Sequence, residues 1–297
     1  MECDVEDQQS TIDRPIRIGV VGAGIMGSGI AHVFALSGFE VDLFDLEDAR
    51  LNEARAAIAS SSDRLVASQR INAERADRAL ARISYRTDLA DAVVRDGAVI
   101  ESVVEDLEVK QRLFEQLDEL CDPSVTLATN TSQFRVGRIA ERCRHPERVV
   151  GMHWSNPPVL MMLVEIIRSE QTADATVDKA RDLAEACGRE TVLCRKDVPG
   201  FISNRLSNVL FMEALRLVDE GVADPGEVDA VARLMLGHKM GPLATLDLAG
   251  LDTALHVAEA LDAAYGDGRF KPAPVLARRV AEGRLGRKSG SGFFDYL

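Results

Sequence analysis

The segment IRIGVVGAGIMGSGIAHVFALSGFEVDLFD, residues 16–45, limits this chain to a narrow set of folds. Ile16, Ile18, Val20 and Val21 form a short apolar run that stops at glycines, as a buried strand does. Ala31, Val33, Phe34, Ala35 and Leu36 then recur at helical spacing, and Gly38 supplies the stop. Val41 to Phe44 reads as a second strand, closed by Asp45. Strand, glycine turn, helix and strand in that order make a parallel pair with the helix packed on one face.

Gly22-Ala23-Gly24-Ile25-Met26-Gly27 is a GxGxxG turn, which alone is a weak signal. Here a strand precedes it, a helix follows, and Asp45 stands 18 residues after Gly27. In that setting Gly22 makes the tight turn, Gly24 lets a pyrophosphate approach the backbone, and Gly27 lets the helix pack close to the strand. The backbone N–H groups around Ile25 and Met26, at the positive end of the helix, hold the anion without any lysine. A carboxylate at Asp45 suits the paired ribose hydroxyls of NAD. It would oppose a 2′-phosphate by roughly 1 kcal/mol in water-like surroundings. The expected cofactor is NAD; the bland alternative is a tight turn that binds nothing.

Further apolar runs of strand length follow at Ala98–Ile100, Val125–Ala128, Val149–Met152, Leu163–Ile167 and Thr191–Leu193, with helical segments at Lys110–Leu120 and Ala173–Ala186. This alternation predicts an α/β fold with a doubly wound, mostly parallel Rossmann-type sheet. The pattern changes after Asp197-Val198-Pro199-Gly200. Leu206, Leu210, Ala214 and Leu217 mark one face of a long helix that stops at Gly221. Asp224-Pro225-Gly226-Glu227 supplies an N-cap acid, a proline at the first helical position and a Glu three residues after the cap. No strand is convincing from residue 201 onward. The expected organisation is a disordered tail over 1–15, an NAD-binding domain over 16–199 and a smaller all-helical domain over 200–297.

Charge and cysteine usage narrow the function classes. Asp and Glu total 48 against 35 Lys and Arg, a formal charge of −13, so nucleic acid and anionic membrane surfaces are poor partners. The five cysteines include no CxxC pair, which argues against a disulfide scaffold or a metal site and fits a reducing cytoplasm. The start, MECDVEDQQSTIDRP, is acidic and polar, unlike a signal peptide. The longest apolar stretch, Val159–Ile167, is interrupted by Glu165 and is too short to cross a bilayer.

A dinucleotide turn names a cofactor and no reaction. Three further segments carry the chemistry: ATNTSQ (128–133), GMHWSNPP (151–158) with LVEII (163–167), and DVPGFISNRL (197–206). Together with GAGIMGSGIA, VIESVVEDLEVKQRLF, GPLATLDLAGLD and GRLGRKSGSGFFDYL, they resemble the 3-hydroxyacyl-CoA dehydrogenase family nearly end to end. The resemblance implies reversible, NAD-dependent oxidation of (S)-3-hydroxyacyl-CoA to the 3-oxo thioester, in fatty acid metabolism, on a short chain such as 3-hydroxybutyryl-CoA. It implies His153 as the general base, oriented by Glu165. Ser132 would hydrogen-bond near the substrate oxygen, and Asn204 would enter from the helical domain. Glu105, Lys110, Asn130, Ser132 and Asn156 would contact the nicotinamide end of the cofactor or hold its pocket.

An imidazole suits the base role because it titrates near neutral pH, and two strands separated by Asn156-Pro157-Pro158 can bring it to a carboxylate. Plainer roles exist for each residue: Ser132 or Asn204 as helix caps, Lys110 as an exposed helix lysine. The resemblance also implies a homodimer formed through the helical domain.

The sequence departs from the family pattern at three places. Trp154-Ser155 replaces two phenylalanines, Gln133 replaces a serine, and Arg64 and Arg70 replace a lysine cluster that grips CoA phosphates. Trp154, Ser155 and Gln133 are expected to border the pocket. Two rival readings follow: a dehydrogenase of the same superfamily acting on a free hydroxy acid, and a catalytically silent dinucleotide-binding or structural protein. The intact set of Ser132, His153, Glu165 and Asn204 argues against silence.

Overall fold

The computed structural model describes residues 16–93 and 97–296, so the tail expected over 1–15 lies outside the described residues. The chain divides into two compact units at Asp197/Val198.

The first unit holds eight strands: β1 (Arg17–Val21), β2 (Glu40–Phe44), β3 (Ile83–Arg86), β4 (Ala98–Glu101), β5 (Thr126–Thr129), β6 (Val149–Trp154), β7 (Leu163–Ile167) and β8 (Glu190–Cys194). They form one sheet in the order β3-β2-β1-β4-β5-β6-β7-β8. All neighbours are parallel except β6 and β7, which run antiparallel across the Asn156-Pro157-Pro158 break. The order reverses between β1 and β4, which opens a crevice at their C-terminal ends.

Seven helices accompany the sheet: α1 (Ile25–Leu36), α2 (Asp48–Ala67), α3 (Ala73–Ala81), α4 (Leu89–Ala92), α5 (Leu107–Leu120), α6 (Val136–Ile139) and α7 (Asp174–Ala186). Ile18, Val20, Ile100, Ala128 and Val150 share one core with Phe34 of α1, Ile58 of α2 and Ala180 of α7. The alternate strand residues Val21, Val99, Leu127 and Val149 are equally buried outside that core, so both faces of the sheet are covered.

The second unit carries α8 (Ser203–Asp219), α9 (Pro225–Leu234), α10 (Pro242–Ala249), α11 (Leu251–Tyr265) and α12 (Pro274–Ala281). Asp224 and Glu227 form the capping box that starts α9. Two acids stitch this unit internally. Asp229 accepts the Leu243 and Ala244 N–H groups at 2.8 and 2.9 Å, capping α10 from outside its own chain segment. Fully buried Asp247 accepts the N–H groups of Phe293 and Phe294, both at 2.9 Å, and the Tyr296 hydroxyl at 3.0 Å. A β-carbon at Gly292 would lie 2.0 Å from Asp247 Oδ1, which is why GPLATLDLAGLD and SGSGFFDY need each other.

The α8 face differs from its expected position. Its buried residues are Asn208, Met212, Ala214 and Leu215, whereas Leu206 is 70% exposed and Leu210 and Leu217 are half-buried. Core packing follows the stripe through Met212 and Leu215, and the leucine stripe lies at its margin.

Candidate active site

Because β1, β2, β4, β5 and β6 are parallel, their C-terminal ends share one edge of the sheet. Gly22, Asp45, Glu105, Asn130 and Ser132 follow four of those ends, and His153 lies within the last two residues of the fifth.

The glycine turn behaves as its spacing predicts. Gly22 has φ +105°, and a β-carbon there would sit 2.5 Å from the Ser102 carbonyl oxygen across the crevice. A β-carbon at Gly27 would lie 1.8 Å from the Gly22 carbonyl oxygen, while at Gly24 it would meet nothing within 4 Å. The first turn of α1 contains no acidic residue, and its N-cap, Gly24, brings no side chain to its N–H groups. Half-buried Asp45 accepts the Ala23 N–H at 2.9 Å, which ties the end of β2 to the glycine turn. These residues fit NAD: Gly24 leaves room for a pyrophosphate, the α1 terminus favours its charge, and Asp45 presents a carboxylate at the next strand end.

The antiparallel β6–β7 ladder sets His153 directly opposite Glu165, so both side chains leave the same face. His153 Nδ1 lies 2.7 Å from Glu165 Oε2; the ring is 14% exposed and the carboxylate 1%. A carboxylate only accepts, so Nδ1 carries the proton and the basic lone pair falls on Nε2. Trp154, next along the strand, points the other way. Its side chain is buried against Phe34 of α1, ring centroids 5.6 Å apart, and does not border the pocket as expected. The departure from the family's two phenylalanines is therefore accommodated in the core on its first residue.

Asn130 Oδ1 accepts the Trp154 N–H at 2.9 Å and so straps the turn after β5 to the strand end carrying His153. Lys110 is not an exposed helix residue. It is buried, with Nζ 2.5 Å from Glu101 Oε1 and 3.1 Å from Glu105 Oε2. Glu105 Oε1 accepts the Thr131 hydroxyl and the backbone N–H groups of Ser132 and Gln133. Ser132 caps no helix, since α6 begins after Arg135. Asn156 is exposed in the β6–β7 connection. Asn204 belongs to the second unit, where it is the second residue of α8; the N-cap is Ile202.

The sequence-level reading missed Glu101, Thr129 and Thr131. The available signal was an acid closing a strand of otherwise apolar residues, nine positions ahead of a lysine on the following helix. Burial pushes the Cys121, Cys143 and Cys187 thiols up to about 11, 12 and 12, so they stay protonated at neutral pH. No group of three or more His, Cys, Asp or Glu suited to a metal occurs among the described residues. Among those residues, no helix is long and apolar enough to cross a membrane.

A nucleotide-shaped turn beside an imidazole whose tautomer is set by a buried carboxylate defines a dinucleotide-dependent oxidoreductase. Comparison with known proteins is specific on this point. The NAD binding domain of 3-hydroxyacyl-CoA dehydrogenase matches residues 17–198, and the C-terminal domain of the same enzyme matches residues 200–296. The chain belongs to the 3-hydroxyacyl-CoA dehydrogenase family.

A probable 3-hydroxybutyryl-CoA dehydrogenase of Deinococcus radiodurans is 40% identical over 281 residues, 95% of this chain and 100% of that protein. The crystal structure of Mycobacterium tuberculosis FadB2 superposes with a TM-score of 0.91 at 38% identity, covering 96% of this chain and 100% of that one. That of (S)-3-hydroxybutyryl-CoA dehydrogenase PaaH1 from Ralstonia eutropha gives 0.89 at 36% identity, covering 96% and 100%.

Proposed function

We propose that this chain interconverts short-chain (S)-3-hydroxyacyl-CoA, such as 3-hydroxybutyryl-CoA, and the 3-oxoacyl-CoA, with His153 as its general base and acid. The observation that carries the assignment is the 2.7 Å contact between His153 Nδ1 and Glu165 Oε2. With Nδ1 protonated, Nε2 takes the proton of the 3-hydroxyl as hydride leaves the same carbon. Buried Glu165 stabilises the imidazolium that results and keeps the ring from turning. In the reductive direction the same imidazolium returns the proton to the forming alkoxide. Bound NAD supplies the hydride acceptor. Gly22, Gly24, Gly27 and the Ile25 and Met26 N–H groups would hold its pyrophosphate, and Asp45 its ribose.

Ser132 is proposed to hydrogen-bond the substrate oxygen, with Asn130, Glu105 and Lys110 holding its turn and Asn156 serving the cofactor pocket. Asn204 enters the proposal on the motif DVPGFISNRL. The short acyl chain is supported by relatives in Deinococcus and Ralstonia whose names specify 3-hydroxybutyryl-CoA. We assign cofactor binding to residues 16–199, and substrate binding and homodimer formation to residues 200–297. Exposed Leu206 and Val209 on α8 give a second copy an apolar surface to cover. The cytoplasm, where the thiols of Cys121, Cys143, Cys187 and Cys194 stay reduced, is the proposed compartment.

The test follows NADH loss with acetoacetyl-CoA, free acetoacetate and a panel of oxo acids. Turnover of acetoacetyl-CoA alone is the expected result. Turnover of a free acid replaces the thioester assignment, and no turnover leaves only dinucleotide binding.

A further inference from the structure

Glu101 takes no part in the reaction proposed above, yet it anchors the turn that carries Ser132. Its side chain, at the end of β4, is 0% exposed. Oε1 accepts the Val103 N–H at 2.7 Å and the Lys110 ammonium at 2.5 Å, and Oε2 accepts the Thr129 hydroxyl at 2.7 Å. The same ammonium forms an ion pair with Glu105 Oε2 at 3.1 Å, and the Glu105 side chain is 28% exposed. From Glu105 Oε1 the contacts run to the Thr131 hydroxyl and to the Ser132 and Gln133 N–H groups, the last two at 3.3 Å. A continuous line of hydrogen bonds and one ion pair thus leads from a strand end, through one buried cation, into the turn.

Two carboxylates share that single ammonium, so its position is a balance between them. Neutralising Glu101 would leave Glu105 as the only charged acceptor for Lys110 in this network. The ammonium would then draw the Glu105 carboxylate toward itself and away from the three donors of the turn. Glu105 would bond the same turn less well even though nothing in the turn had changed.

We infer that Glu101 is a positioning residue: by holding Lys110, it keeps Glu105 against the Thr131–Gln133 turn and so sets where Ser132 stands. The inference rests on the proposed role of Ser132, but its first readout does not require substrate. The competing account is a buried ion pair that serves folding alone.

The full chain is compared with Glu101→Gln and with the double variant Glu101→Gln/Lys110→Met. Amide hydrogen exchange is measured over residues 129–134, with NADH affinity and steady-state kinetics on acetoacetyl-CoA alongside. Glu101→Gln is expected to speed exchange of the Ser132 and Gln133 amides by about 10-fold. It should lower kcat by about 10- to 100-fold, with KM and the NADH Kd within about 3-fold. The double variant also removes the ammonium that would draw Glu105 away, so exchange of the turn and thermal stability are both expected to return toward wild type.

Wild-type exchange and kcat in Glu101→Gln would overturn the proposal. So would a double variant that regains thermal stability while the turn keeps exchanging fast, or a kcat loss that follows weakened NADH binding. If Glu101→Gln does not fold, Glu101→Asp, which keeps the charge but draws back from Lys110, is read for the same local change in exchange. Should acetoacetyl-CoA prove not to be a substrate, the exchange result still reports on Glu101.

Discussion

Glu165 in the sheet unit and Asp247 in the helical unit are carboxylates of nearly equal burial, 1% and 0% exposed, and both are bonded at close range. Their partners separate them. Glu165 faces one imidazole nitrogen, whereas Asp247 faces two backbone N–H groups and a phenol. Burial first, then the Asp247 carboxylate, raises the Tyr296 hydroxyl above its ordinary value, so it remains a donor. A buried, satisfied carboxylate is thus equally the mark of a latch or of a catalytic partner. Chemistry enters where the group it holds can gain and lose a proton.

The sharpest test of this contrast is His153→Gln, which keeps an amide donor toward Glu165 while removing the titrating lone pair. Turnover should fall about a thousandfold with Tm nearly unchanged; measuring kcat beside a thermal melt checks both halves. Glu165→Gln comes next, with kcat lowered about a hundredfold because the ring loses its charged partner. Asp247→Ala should do the reverse. Stability should fall by about 3 kcal/mol in denaturant titrations, while turnover per folded molecule stays within about threefold. If Asp247→Ala lost turnover without losing stability, the contrast would collapse.

The smallest effect concerns His32, a buried histidine on α1 whose Nε2 meets Ser62 Oγ at 2.9 Å. Burial lowers it from 6.5 to about 4. The unfolded chain therefore binds a proton between those values that the folded chain refuses. This contribution is complete above pH 6.5 and is lost as pH falls through the window, about 1 kcal/mol of it by pH 5.5. Thermal melts at pH 7 and 5.5 should show the loss, and His32→Gln should flatten it. A histidine that burial keeps uncharged at neutral pH, like His32, belongs to the core.

Much of the fold is written in apolar runs. β1, β2 and β4–β7 are legible because each is a short, buried, mostly apolar run, and β8 is legible from Thr191–Leu193 although it is partly exposed. β3 is not, since Ile83-Ser84-Tyr85-Arg86 at the sheet edge is only four residues long, a brief apolar–polar alternation in place of an apolar run. At the site, the His153–Glu165 spacing is compatible with adjacent strands, but only the antiparallel register makes them direct neighbours. Lys110 and Trp154 show the remaining limit. A lysine on a helix next to acids looks solvated until its ammonium proves buried against Glu101, and a strand tryptophan faces whichever side its neighbour His153 does not.

β6 and β7 are both interior strands of an eight-stranded sheet, with β5 and β8 on their outer sides. Parting His153 from Glu165 by backbone motion means opening that ladder, an event close to global unfolding in cost and far slower than loop fluctuation. The Thr131–Gln133 turn lies outside any ladder and is held through side chains. Backbone motion therefore gives the His153–Glu165 pair no fast adjustment, and the turn is the part of this edge free to adjust.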